Sequence, residues 1–219
     1  MLNLYYLVGW GGILPILAVA ALALSTKHVW RYPYALLGTY LCIIAVLEVV
    51  MAILDIVSDN NFHINFLYIT LEFPLIILYL NSVFESRVVK QLSLMLTIAF
   101  LLFQLYRFVD DSAHLYFDMM SVVINTSIII LYALGALSWL FRKNPAITLR
   151  KTADFWFAAT IFCLNIIDLI IFIMIDVTYD AMSEDVYLML QIMRNLLKAV
   201  LFYGYWRGIK LVRQDLHVI

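Results

Sequence analysis

The sequence predicts an all-α integral membrane protein: a bundle of seven transmembrane helices, N-terminus outside and C-terminus cytoplasmic. Three observations predict it. Of 219 residues, 65% are hydrophobic and only 13% charged, where a soluble domain is about a quarter charged. Mean hydropathy is +0.97, and the apolar residues fall in runs of roughly the 20 residues that cross a bilayer. Lys and Arg, finally, concentrate in alternate connectors.

The runs cover residues 3–25, 33–55, 63–84, 91–108, 115–141, 152–176 and 184–206, a single transmembrane domain over 1–219. Between them lie the polar breaks STKHVWRY, SDNN, ESRVVK, DDSAH, RKNPAITLRK and TYDAMSED. The first break holds Lys27 and Arg31, the third Arg87 and Lys90. The fifth holds Arg142, Lys143, Arg150 and Lys151, and the C-terminal tail Arg207, Lys210 and Arg213. The second and sixth hold none, and the fourth has Arg107 beside Asp110 and Asp111. The positive-inside bias then sets the N-terminus outside. Trp30, Tyr32, Tyr34, Trp139, Tyr205 and Trp206 mark the inner interface, and Tyr5, Tyr6, Tyr106, Tyr116, Tyr179 and Tyr187 the outer one. Span 1 lacks the basic leader of a signal peptide and reads as a retained anchor. Pro15 and Pro74 each remove one helical hydrogen bond, from the carbonyls of Gly11 and Thr70.

Composition excludes a soluble enzyme and a disordered chain. The net charge of −1 excludes nucleic acid as a partner, for want of a basic face outside the connectors. Cys42 and Cys163 lie inside apolar runs and read as small hydrophobes. No connector has room for a soluble output domain. The chain reads as one compact bundle in a bacterial inner (plasma) membrane.

Ionisable groups inside the bilayer carry the functional argument. Each costs roughly 2.5–3.5 kcal/mol at the membrane centre, so those present face the interior and find partners. In span 7, Gln191, Arg194, Asn195 and Lys198 are spaced i, i+3, i+4, i+7 and share one face. Asn165, Asp168 and Phe172 share a face of span 6, and Tyr68, Glu72 and Tyr79 one of span 3. Glu48 lies in span 2. Asp118, Ser121 and Asn125 line up on span 5, and span 4 offers Gln104 and, at its edge, Arg107. With odd spans running inward, Glu48, Glu72, Asn125, Asp168, Gln191 and Arg194 fall in the central-to-outer half. The inner half is more apolar.

This pattern predicts a polar cavity open to the outside. Arg194 and Lys198 would meet the negative charge of a small polar or anionic ligand. Glu48, Glu72 and Asp168 would balance them when it is empty. Asn125, Asn165, Gln191 and Asn195 would add neutral hydrogen bonds. The expected role is receptor-like, signalling through a separate cytoplasmic or membrane partner. A small-solute or proton-coupled transporter is the alternative, and a structural subunit whose buried charges only fix helix register is a third.

No catalytic residue and no cofactor is expected. Lys198 with Glu72 meets the minimal description of a retinal site, but Arg194 stands one turn before the lysine, where a cation disfavours a protonated Schiff base. For metal, His114 and Asp118 are spaced i, i+4 and His63 lies on the same side. No histidine stands on span 7, so these read first as solvated side chains.

Two patches, NNFHINFLYITLEF (60–73) and ADFWFAATIF (153–162), resemble small bacterial seven-helix integral membrane proteins of unassigned activity. The resemblance implies the architecture and transfers no site residue.

Overall fold

The computed structural model describes residues 2–57, 62–109, 119–143, 146–178 and 183–214, with side chains of the first helix from Gly12 onward. Seven long helices account for nearly all of them: α1 (Leu2–Ser25), α2 (Tyr34–Val57), α3 (Phe62–Val83), α4 (Arg87–Val109), α5 (Met119–Lys143), α6 (Ala153–Thr178) and α7 (Glu184–Gln214). A 3-10 turn at Lys27–Trp30 follows α1, and a one-turn helix at Ala146–Leu149 precedes α6. Helices α2 to α7 are long and apolar enough to cross a membrane, and α1 is apolar from Gly12 to Ser25. The chain is an integral, multi-pass membrane protein.

The ends of the helices show why the chain stops and restarts where it does. Ser25 Oγ and Thr26 Oγ1 both donate to the Leu22 carbonyl, satisfying an oxygen that α1 leaves free as it ends. Ser183 caps α7: its Oγ accepts from the Val186 N–H at 3.4 Å. Two helices outrun their apolar stretches. α4 begins at Arg87 instead of 91, and α7 continues to Gln214. Arg207, Lys210 and Arg213, read from sequence as a tail, are therefore helical. Polar residues such as Arg, Lys and Gln are good helix formers, so loss of hydrophobicity does not end a helix. At 31 residues, α7 is about 46 Å long, well beyond the ~30 Å hydrocarbon core. Both internal prolines, Pro15 and Pro74, lie within uninterrupted helices.

The packing differs from a single seven-helix cluster. α1 packs on α2, α2 on α3, α3 on α5, α5 on α6, α6 on α7, and α7 back on α1. Six helices thus close a ring. α4 stands outside it, packed chiefly on α3. Its buried residues Ser93, Thr97, Phe100 and Gln104 form one narrow stripe, and Phe100 stacks on Phe73 of α3 with ring centroids 4.1 Å apart. Most of the remaining surface of α4 is exposed and apolar, as a lipid-facing helix requires.

One crossing is unusually close. Gly204 and Gly208 of α7 are four residues apart and face α6. A Cβ at Gly208 would fall within van der Waals contact of the Phe157 ring, and one at Gly204 on the Thr160 hydroxyl. This small-xxx-small pair lets the two backbones approach. On the other side of α7, Gly12 of α1 packs against Asn195, whose Cβ would lie 3.4 Å from a Cβ at Gly12.

Candidate functional site

Within the ring, α2, α3, α5, α6 and α7 each turn a polar side chain inward at similar depth. Asp168 is the centre. Arg194 Nε donates to its Oδ1 at 2.6 Å. Lys198 Nζ lies 3.7 Å from its Oδ2 and 3.8 Å from Oε1 of Glu48. Arg194 and Lys198 reach the same carboxylate because four residues separate them on one helical face. The Arg194 guanidinium also lies over the Phe172 ring, 4.7 Å from its centroid, and Phe172 stands one turn beyond Asp168 on α6. Ion pairing plus a ring face replaces the hydration this cation gives up.

Glu72 of α3 has different partners. The Tyr40 hydroxyl donates to its Oε1 at 3.2 Å, and Asn125 Nδ2 to its Oε2 at 3.1 Å. Asp168 and Lys198 lie within its electrostatic reach. Tyr68, one turn away on α3, stands in the field of Glu48, Glu72, Asp168 and Arg194. Pairs and hydrogen bonds thus join into one ionic layer.

Six of the residues singled out by sequence meet in or border it directly: Glu48, Glu72, Asn125, Asp168, Arg194 and Lys198. Three do not join it by a hydrogen bond. Asn165 is buried, but its amide donates to the Ile161 carbonyl of its own helix at 2.9 Å. Asn195 turns toward Gly12 of α1. Gln191 is half-buried one turn above Arg194. Gln104 is 1% exposed and belongs to the α3–α4 contact, where neither amide atom has a protein partner. His114 and Asp118 lie outside the described residues, as does the side chain of His63. Among the described residues, no group of three or more His, Cys, Asp and Glu is placed to hold a metal.

The basic end of the ring is closed by aromatic rings. Tyr79 and Phe157 meet edge to face at 5.8 Å, and Phe157 packs on Tyr205 at 6.3 Å. Tyr34 packs on Tyr79 and Phe157, and Tyr40 on Tyr205. Tyr205, expected at the membrane interface, is 1% exposed and interior. Two positions after Tyr203, it falls on the ring-facing side of α7, while Tyr203 is exposed. The Tyr79 hydroxyl donates to Asp154 at 2.9 Å, in the first turn of α6.

Tyr40, Tyr205 and the glycines are what sequence reasoning missed. Tyr40 lies eight residues before Glu48, and Tyr205 seven after Lys198, so helical spacing put both on the charged faces. The Gly204–Gly208 spacing was an equally readable sign of a close crossing. Outside the spans, Lys143 pairs with Glu85 and joins the end of α5 to the α3–α4 connector. The Lys143 ammonium holds the Glu85 carboxyl below its ordinary value by hydrogen bond and charge.

Compared with protein families, curated proteins and solved structures, the chain shows no match to any.

Proposed function

We propose that the chain is a receptor-like membrane protein whose ionic layer takes a small polar or anionic ligand. One observation carries the reading: the layer is partly accessible, while the ring is sealed beside it. Side chains of Arg194 and Asp168 remain 19% exposed and that of Glu48 22%. Two to three turns toward the basic end, Tyr79, Phe157 and Tyr205 are at most 1% exposed. Partly exposed charges beside a closed aromatic layer suit binding better than passage of a solute. A ligand's anionic group would exchange for a carboxylate on Arg194 or Lys198, and that exchange would alter the contact between α6, α7 and α2. The bistable element is then the ring itself.

The proposal includes seven spans with the N-terminus outside, since every basic connector then faces the cytoplasm, as in a bacterial inner membrane. The closed end would face inward, beside the partner that receives the signal.

Native mass spectrometry of the detergent-released protein tests the reading. A co-purifying small-molecule mass on the wild type, absent from a folded Arg194→Gln/Lys198→Gln variant, is the expected result. A bare wild type, or the same adduct on both, would leave a structural polar core as the better account. Solute flux into sealed vesicles that Glu72→Gln abolishes would favour a transporter instead.

A further inference from the structure

The ionic layer does not balance. Among the described residues it holds three carboxylates, Glu48, Glu72 and Asp168, against two cations, Arg194 and Lys198. Both cations are at salt-bridge distance from Asp168 or Glu48. The described residues give Glu72 only neutral donors, the Tyr40 hydroxyl and the Asn125 amide. If every group were ionised, one negative charge would stand uncompensated within the membrane, the costly case for a buried charge.

The helices packed on α3 are α2, α4 and α5, and none places a described cation against Glu72. α2 presents Tyr40 and Glu48, a hydroxyl and another acid. α5 presents Asn125, which is neutral. The buried stripe of α4 holds Ser93, Thr97 and Gln104 and no charge; the half-buried Arg107 stands two turns beyond Phe100, which is level with Phe73. Across the ring stand Asp168, Lys198 and Tyr205, and Lys198 already has two carboxylates. Tyr68 lies on α3 itself. The neutral form of Glu72 removes the imbalance without any further ion.

A second, independent feature leads away from Glu72. Its partner Tyr40 packs on Tyr205, with ring centroids 6.4 Å apart. Tyr205 and Tyr79 both pack on Phe157 and lie in each other's field. Tyr79 in turn donates to Asp154, at the basic end. Tyr40, Tyr79 and Tyr205 are each at most 4% exposed. A column of buried hydroxyls therefore crosses the aromatic layer that closes the ring to solutes. From Tyr40 to Tyr205 and from Tyr205 to Tyr79 there is proximity without a direct hydrogen bond, so the route requires the side chains to rotate at both links.

We propose that Glu72 is a proton-binding site of the interior, loaded from the basic end through Tyr79, Tyr205 and Tyr40. The step moves protons only. Tyr40 gives its hydroxyl proton to the Glu72 carboxylate and takes one from Tyr205. Tyr205 takes one from Tyr79, and Tyr79 takes one arriving at Asp154. The hydroxyls then rotate back. No electron moves and no other bond is made. The inference goes beyond ligand binding and does not depend on it.

Infrared difference spectroscopy of the full chain in lipid membranes, without added ligand, tests this. Near neutral pH the wild type should show the carbonyl stretch of a protonated carboxylic acid. Glu72→Gln should remove it and Glu48→Gln should keep it. Tyr40→Phe, which deletes one hydrogen bond and spares the fold, should shift its frequency. After a pH step, Tyr79→Phe should slow the band's response at least tenfold. Absence of the band in the wild type would overturn the proton site. So would its persistence in Glu72→Gln, or an unshifted band in Tyr40→Phe. A response unchanged in Tyr79→Phe would overturn the route. Because no ligand enters the assay, failure here is distinct from failure of the receptor reading.

Discussion

Asp168→Asn is the sharpest perturbation of the ionic layer. The substitution keeps size and shape and removes one charge. Arg194 then loses the anion 2.6 Å away, and Lys198 loses one of its two carboxylates, keeping Glu48 at 3.8 Å. Two unit charges about 4 Å apart attract by about 4 kcal/mol at an effective dielectric near 20. Removing one member of a buried pair typically costs about 3–5 kcal/mol, because the survivor stays buried and unpaired. Both side chains are only 19% exposed, so water recovers a minor part of that loss. Asp168→Asn should therefore destabilise the folded state by about 3–4 kcal/mol. Asp168→Leu combined with Arg194→Met should cost much less, since apolar groups of similar volume leave no orphaned charge. Reversible unfolding in mixed micelles, followed by tryptophan fluorescence, reads both. A single variant within about 1 kcal/mol of wild type would refute the reasoning, as would a double variant no better than the single.

Three further predictions rest on separate parts of the fold. Gly208→Ala should cost about 1–3 kcal/mol by overpacking, because its Cβ meets the Phe157 ring; added Phe157→Leu should recover most of it, and a harmless Gly208→Ala in the same unfolding assay would contradict the close crossing. Gln104→Leu should stabilise the protein by about 1 kcal/mol, since a buried amide without a partner costs roughly 1–3 kcal/mol; a loss would mean that the amide is satisfied, for instance by water. Glu85 is held below its ordinary value of 4.5 by Lys143, so their pairing contributes above the unfolded value and is lost as pH falls through the lowered folded one. In Lys143→Met the Glu85 midpoint, followed by carbon-detected NMR, should rise toward 4.5, and an unmoved midpoint would show the pair absent in solution.

Much of the site was readable from spacing. Arg194 and Lys198 cannot face lipid at reasonable cost, and i, i+4 geometry on α7 required them to share a partner zone. Glu48, Glu72 and Asp168 follow from the same cost argument. The pairing was not readable, because it depends on which helices are neighbours. Helix order in the ring, with α4 outside and α3 beside α5, is a long-range property. That order brings Asn125 to Glu72. Asn165 shows the limit from the other side: its spacing matched Asp168, yet its amide turned back to the Ile161 carbonyl, a local competition open to any short polar side chain in a helix. Tyr205 was misplaced because an aromatic near a span end has two uses, interface anchor or core, and sequence position cannot separate them.

The most direct test of the account is the side from which the ionic layer can be reached. In a Cys42→Ala/Cys163→Ala background, Gln191→Cys places one thiol a turn from Arg194, on the side away from the aromatic closure. In intact cells, a membrane-impermeant thiol reagent added outside should modify it. Reagent confined to the cytoplasmic side of inverted vesicles should not. Labelling only from the cytoplasmic side, or from neither, would contradict a site open outward and sealed at the basic end.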